Sequence, residues 1–223
     1  MSTSYDREIL YSIVIPYAHR PDLFWNTLLS YRHWYKDRHD YEVVVVEDPF
    51  NAENEEYHAD LFEVLKNYED LPLVVPDTTD VFRDAAPSSL INCGVCVCRG
   101  TRVIITCPEC IHLNDALSLF DVHFKDNPNS YAAGSCLCIK SKPRMTVFDP
   151  TDYEQTSWYQ HSRHRNVLFP FCSCLPVSEY WRIGGYCEKF RTGGGYDDND
   201  FIDRLRLAGI PLVALDSVFT AHQ

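Results

Sequence analysis

Tyr41-Glu-Val-Val-Val-Val46 is the stretch that decides the fold. Four consecutive valines make a strand apolar on both faces, as a central parallel strand with helices above and below requires. A strand with one wet face alternates apolar and polar residues instead. Working outward, Ser12-Ile-Val-Ile-Pro16 is a second short buried strand that stops at a proline, and Thr101-Arg-Val-Ile-Ile-Thr106 is a third. The intervening segments carry helical spacing: Phe24, Leu28, Tyr31 and Tyr35 after Pro21, then Tyr57, Leu61, Leu65 and Tyr68 before Leu71-Pro-Leu-Val-Val75. Ser88 and Ser89 can cap another helix through Leu90 and Val95, ended by Gly100. Strands separated by helices of this length predict an α/β domain with a mostly parallel central sheet flanked by helices. Residues 141–165, rich in Pro, Asp, Tyr and His, interrupt that regularity as a long loop, and such loops are usually functional.

The chain has 223 residues, 45% hydrophobic and 13% aromatic, which suits one globular domain over residues 1–223. No apolar run approaches the length of a membrane span, and the first residues lack a signal peptide's apolar core. The expectation is a soluble, cytoplasmic protein. A net charge of −12 argues against a broad nucleic-acid footprint, which needs clustered Lys and Arg. A local basic groove remains open through Lys140, Lys142, Arg144, Arg163, His164 and Arg165.

Ten cysteines raise the question of zinc or disulfides. Cys136-x-Cys138 and Cys172-x-Cys174 sit in runs of strand character, where alternate thiols point to one face and act as small apolar fillers. Cys107-Pro-Glu-Cys110 resembles half of a zinc knuckle, but no second Cys-x2-Cys follows at a zinc-ribbon interval. The expectation is reduced, packed thiols, with a zinc-stabilised scaffold as the alternative.

Ligands in open α/β sheets bind at the carboxyl ends of strands. Four polar groups fall at such ends: Pro16-Tyr-Ala-His-Arg20, Glu47-Asp48, Cys107-Pro-Glu109, and the Gly-rich acidic segment Gly193-Gly-Gly-Tyr-Asp-Asp-Asn-Asp-Phe201. In the last, three glycines permit close approach to a ligand, and the carboxylates open an amphipathic helix whose dipole favours their ionised form. That suits a general base that must reach a hydroxyl.

In this order the segments resemble family 2 glycosyltransferases of the GT-A fold. Ser12-Ile-Val-Ile-Pro-Tyr-Ala-His-Arg-Pro21 looks like their opening strand and Glu42-Val-Val-Val-Val-Glu-Asp48 like their second, whose terminal acid contacts the nucleotide base. Ile91-Asn-Cys-Gly-Val-Cys-Val-Cys-Arg-Gly100 is similar to the helix beneath the sugar nucleotide. Residues 193–201 look like the Gly-rich acidic segment of the galactosyltransferase branch, and Val218-Phe-Thr-Ala-His222 like the strand that returns a late histidine to the metal. The resemblance implies a nucleotide-sugar-binding half over residues 1–110 and an acceptor-binding, catalytic half over 111–223. It implies an inverting transfer from a nucleoside diphosphate sugar, most simply a UDP-sugar, with Asp198 as the base. Asp197, Trp181, Gly194 and Gly195 would meet the acceptor, and Pro16, Tyr17, Arg20, Glu47, Asp48, Asn92 and Arg99 the donor. The acceptor would be a glycan or, as the minority option, DNA with hydroxymethylated bases.

One departure stands out. The family's metal-binding Asp-x-Asp is replaced by Cys107-Pro-Glu109, which leaves Glu109 as the only carboxylate there. Glu109, His222 and the diphosphate would then hold the ion, in a mixed oxygen and nitrogen shell that suits Mn²⁺ better than Mg²⁺. The alternative is metal-independent transfer, with cationic side chains stabilising the leaving diphosphate. His112 reads either as a residue behind those ligands or as a surface residue at a helix start. A noncatalytic nucleotide- or carbohydrate-binding module with a decayed metal site is the rival of another class.

Overall fold

The computed structural model describes residues 8–78, 87–192 and 195–223. The valine stretch becomes β2 (Tyr41–Glu47), buried along its whole length. It lies parallel to β1 (Tyr11–Tyr17), with Tyr17 opposite Glu47, and to the short β3 (Leu73–Val74). β4 (Arg102–Thr106) flanks β1 on the other side, also parallel. These four strands are the parallel half that the sequence predicts.

Beyond β4 the sheet changes character. β8 (Cys172–Pro176) runs antiparallel to β4 and to β6 (Tyr131–Ile139). β6 then pairs in parallel with β9 (Leu212–His222), and β9 pairs antiparallel with β5 (Cys110–His112). The strand order is β3-β2-β1-β4-β8-β6-β9-β5, with β7 (Gln155–Gln160) on the end of β6. The central sheet is therefore mixed, a correction to the mostly parallel reading. β6, β7 and β8 follow one another with no helix between them, which permits the antiparallel pairings of β6 with β7 and β8. β7 also falls inside the region read as one long loop. Its Gln155, Thr156 and Ser157 are exposed, so it lacks the apolar alternation that marks a strand in sequence.

Helices cover both faces. Odd-numbered residues of β1 and β2 (Ile13, Ile15, Val43, Val45) pack under α1 (Pro21–Tyr35), α3 (Glu55–Asn67) and α5 (Ala116–Asp126) through Phe24, Leu28, Leu61, Leu65 and Phe120. Even-numbered Val14, Val44 and Val46 pack under α4 (Pro87–Val97) and α7 (Asp197–Leu207) through Ile91, Val95, Phe201 and Leu205. Period-two alternation thus feeds two cores from one strand. Gly94 lets α4 lie tight on the sheet, since a Cβ there would stand 2.5 Å from the Val14 side chain. Among the described residues, no helix is long and apolar enough to cross a membrane.

Candidate active site

β1, β2 and β4 end at one edge of the sheet, and the turns that follow them carry Arg20, Asp48 and Glu109. The turn after β4 is tight, with the Cys110 amide donating to the Cys107 carbonyl at 3.1 Å. The buried Thr27 hydroxyl on α1 donates to the Pro108 carbonyl at 2.7 Å and fixes the turn from behind. β5 starts at once and pairs Cys110 with His222. This single register pair brings together two residues more than a hundred positions apart. His222 Nε2 lies 3.5 Å from Glu109 Oε1, and the Gln223 amide donates to the Glu109 carbonyl at 3.1 Å. Cys107 joins them, with its sulfur, a Glu109 oxygen and a His222 nitrogen all within 4.8 Å of one another.

Glu109 is the centre of this group. Its side chain is 9% exposed, Oε1 accepts from the Arg20 guanidinium, and Oε2 is buried with no hydrogen-bond partner. A buried acceptor without a donor costs stability unless something fills the role. A cation fits that vacancy of bonding, and the surrounding Cys107 and His222 supply further donor atoms. His222 is lined by the rings of Tyr159 and Phe171, at 4.7 and 6.0 Å. An open groove beside Arg20 runs past Leu23 to Lys142 and Pro143.

His112 belongs elsewhere. It is fully buried, its Nδ1 meets the Tyr35 hydroxyl at 2.5 Å, and burial pushes its pKa down to about 4. It is a neutral core histidine, neither behind the ion ligands nor on the surface as expected.

The acidic segment opens α7, with Asp197, Asp198 and Asp200 in its first turn. Gly195 has φ +98° and Tyr196 φ +70°, so the chain enters the helix through two left-handed residues. Such a conformation is ordinary for glycine and uncommon for tyrosine. The Tyr186 hydroxyl donates to Asp198 Oδ1 at 3.1 Å, while its ring stacks on Phe201 at 4.3 Å. Burial first, then the neighbouring Asp197, pushes the Asp198 carboxyl up to about 6, against the Tyr186 hydrogen bond. Asp200 is taken by Arg204 at 2.7 Å, and Arg204 in turn holds the Ile183 carbonyl at 2.9 Å. Asp197 is half-buried and Trp181, on α6 (Val177–Arg182), is 40% exposed. Gly194 lies outside the described residues.

The donor-side expectations divide. Pro16, Arg20 and Asp48 stand at the strand ends, partly accessible, with Asp48 capping α2 (Pro49–Glu53) through a 2.8 Å bond from the Phe50 amide. Burial raises the Asp48 carboxyl above its ordinary range, against the α2 amides. Four others are engaged in holding the fold. Tyr17 is fully buried with its ring against Phe24. Glu47 is bonded through one oxygen to Asn51 and through the other to His58 Nδ1, the latter at 2.9 Å. Asn92 accepts from the Tyr186 amide and the Tyr180 hydroxyl, and donates to the Tyr186 carbonyl and Glu188. Arg99 pairs at 2.7 Å with Glu42 at the start of β2, the opposite end of the sheet from Glu47. Seven residues of β2 span roughly 20 Å, too far for the same ligand contact. Three of the six basic-groove residues are paired with acids: Lys140 with Glu154, Lys142 with Asp152, and Arg144 with Asp22 and Glu63.

All ten thiols are free, and Cys110, Cys136, Cys172 and Cys174 are buried as expected for packing residues. Sequence reasoning missed Cys107 as a companion of Glu109. The signal was available: a turn that presents the family's two acids at spacing i, i+2 presents Cys107 and Glu109 at the same spacing.

No family profile matches the chain, and no curated protein sequence matches it. Solved structures do. The mannosyltransferase PcManGT from Pyrobaculum calidifontis, in complex with GDP-Man and Mn²⁺, superposes with a TM-score of 0.67 at 14% identity, covering 98% of this chain and 57% of its own. S. aureus TarS 1–349 superposes with a TM-score of 0.66 at 15% identity, covering 96% and 60%. The same TarS fragment in complex with UDP-GlcNAc gives 0.63 at 13%, covering 96% and 56%. The chain thus spans less than two thirds of the length of these solved chains. The fold is of the GT-A glycosyltransferase type.

Proposed function

We propose that this chain transfers a sugar from a nucleoside diphosphate sugar to an acceptor hydroxyl with inversion, Asp198 acting as the base. The observation that carries the reading is the setting of the Asp198 carboxyl. It lies in the first turn of α7 just after Gly195 and Tyr196, accepting from the Tyr186 hydroxyl at 3.1 Å, where burial raises its pKa to about 6. A base poised near working pH is ionised in use and still basic enough to accept a proton. Asp198 would take the acceptor proton as that oxygen attacks the anomeric carbon from the face opposite the diphosphate. Asp197 and the exposed ring of Trp181 would orient the acceptor, and Gly195 leaves room for it. Asp48 and Arg20 would meet the nucleotide and diphosphate at the strand ends.

Two of the fold neighbours are complexes with GDP-Man and with UDP-GlcNAc, which supports a nucleotide-sugar donor here, a UDP-sugar being the simplest choice. A divalent cation fits Glu109 and His222 because the Glu109 Oε2 atom is buried without a partner. Such an ion supplies the positive charge that a departing diphosphate needs. The membership of family 2 belongs to this proposal as well. A panel of nucleoside diphosphate sugars, screened for release of nucleoside diphosphate, tests the reading: one donor should stand out. A noncatalytic module would bind nucleotide and release nothing from any of them.

A further inference from the structure

We propose that Cys107 completes, with Glu109 and His222, an open three-ligand site for a borderline-soft divalent ion of the zinc class, not the manganese site expected from the sequence. The ion's role in turnover rests on the transferase reading above, whereas its binding rests on these side chains. Sulfur, oxygen and nitrogen lie within 4.8 Å of one another. Tetrahedral zinc bonds of about 2.0–2.3 Å set ligand atoms about 3–4 Å apart, so small side-chain rotations close the site. The three residues are held by backbone: Cys110 pairs with His222 across the β5–β9 ladder, and the Cys107 carbonyl accepts from the Cys110 amide. The buried Glu109 Oε2 has no partner, while Arg20 holds Oε1. Oε1 is the oxygen that faces His222, at 3.5 Å, and it is shared with Arg20, so a turn of the carboxylate would offer the unpartnered Oε2 to the ion.

Donor chemistry selects the ion. Mg²⁺ and Mn²⁺ favour oxygen shells, whereas a thiolate beside an imidazole favours Zn²⁺ and Co²⁺ and follows the rising affinity order from Mn²⁺ to Zn²⁺. Three protein ligands leave a fourth position, as in zinc sites that exchange ligands, and a diphosphate oxygen can fill it. Among the described residues no other group of three His, Cys, Asp or Glu side chains is arranged to hold an ion. A closed structural zinc built on the thiols is thus a different proposition.

The test uses the whole chain, stripped of metal under reducing conditions and titrated calorimetrically with Zn²⁺, Mn²⁺ and Mg²⁺, then with Co²⁺ followed by absorbance. Zn²⁺ should bind at least about 100-fold more tightly than Mn²⁺, and Co²⁺ should develop a thiolate-to-cobalt charge-transfer band. Cys107→Ser should abolish the band and weaken Zn²⁺ at least about tenfold, while Cys93→Ser, a half-buried thiol on α4, changes neither. Thermal unfolding checks that both variants fold. Equal affinity for Zn²⁺ and Mn²⁺, or a band that survives in folded Cys107→Ser, overturns the proposal. Zinc held through Cys107 with no affinity for any nucleoside diphosphate would sustain the site and sink the transferase reading. Donor turnover without zinc affinity would do the reverse.

Discussion

Burying the Asp198 carboxyl beside Asp197 weakens the folded state and, on the function proposed above, would equip a base at the same time. With its pKa raised from 3.8 to about 6, the folded protein binds this proton more readily than the unfolded chain. The stabilisation that protonated Asp198 provides is complete below about 3.8 and is lost as pH rises through about 6. Asp198→Asn should therefore be more stable than the parent at pH 7.5, by about 1–3 kcal/mol, with the gap closing toward pH 4. Urea unfolding at the two pH values reads this directly, and a variant less stable at pH 7.5 would refute the buried-acid account. Catalysis runs the other way: kcat/KM should fall about tenfold per unit below pH 6, because the base must be ionised. Asp198 could be picked out from sequence because the resemblance covers its segment. The Tyr186 partner could not, since nothing in the spacing of Tyr186 and Asp198 announces a hydrogen bond across a turn.

At the scale of elements, α1, α3, α4 and the first strands were legible because their apolar periodicity is strong: four valines in β2, and Phe24, Leu28, Tyr31 and Tyr35 along α1. β7 was not, because its exposed polar residues gain their pairing from β6 and not from a buried face. Asn92 illustrates a subtler limit. The sequence marks a polar residue on a helix near the site, but only the structure reveals that Tyr180, Tyr186 and Glu188 take up its amide. Asn92 thereby ties α4 to the segment that orients Asp198. Asn92→Ala leaves a buried tyrosine hydroxyl and backbone groups unpaired, so stability should drop by roughly 2–4 kcal/mol in denaturant titration. A loss below about 0.5 kcal/mol would mean that these groups find other partners.

Across the whole molecule, one edge of the sheet gathers Arg20, Asp48, Glu109 and His222 while the opposite end holds the Arg99–Glu42 pair, with Ser12 also donating to Glu42 at 2.7 Å. Arg99→Ala strands part of the charge on a fully buried Glu42, and stability should fall by roughly 1–3 kcal/mol while nucleotide affinity stays unchanged. Weaker nucleotide binding without loss of stability would return Arg99 to the donor site. Arg99 lies just past the end of α4 and meets the sheet at the end away from Glu47. The sequence alone does not give that placement, because strand polarity and register emerge only from the assembled sheet. Glu109 and His222 were paired at the sequence level only through the family resemblance, and the contact between them depends on the β5–β9 register. The central claim concerns Asp198, and it is tested most directly by comparing Asp198→Asn with the parent for both sugar transfer and donor affinity. The account predicts transfer lower by roughly 10²–10⁴-fold with donor affinity nearly unchanged. Transfer retained at the parent's rate in the Asn variant would contradict it.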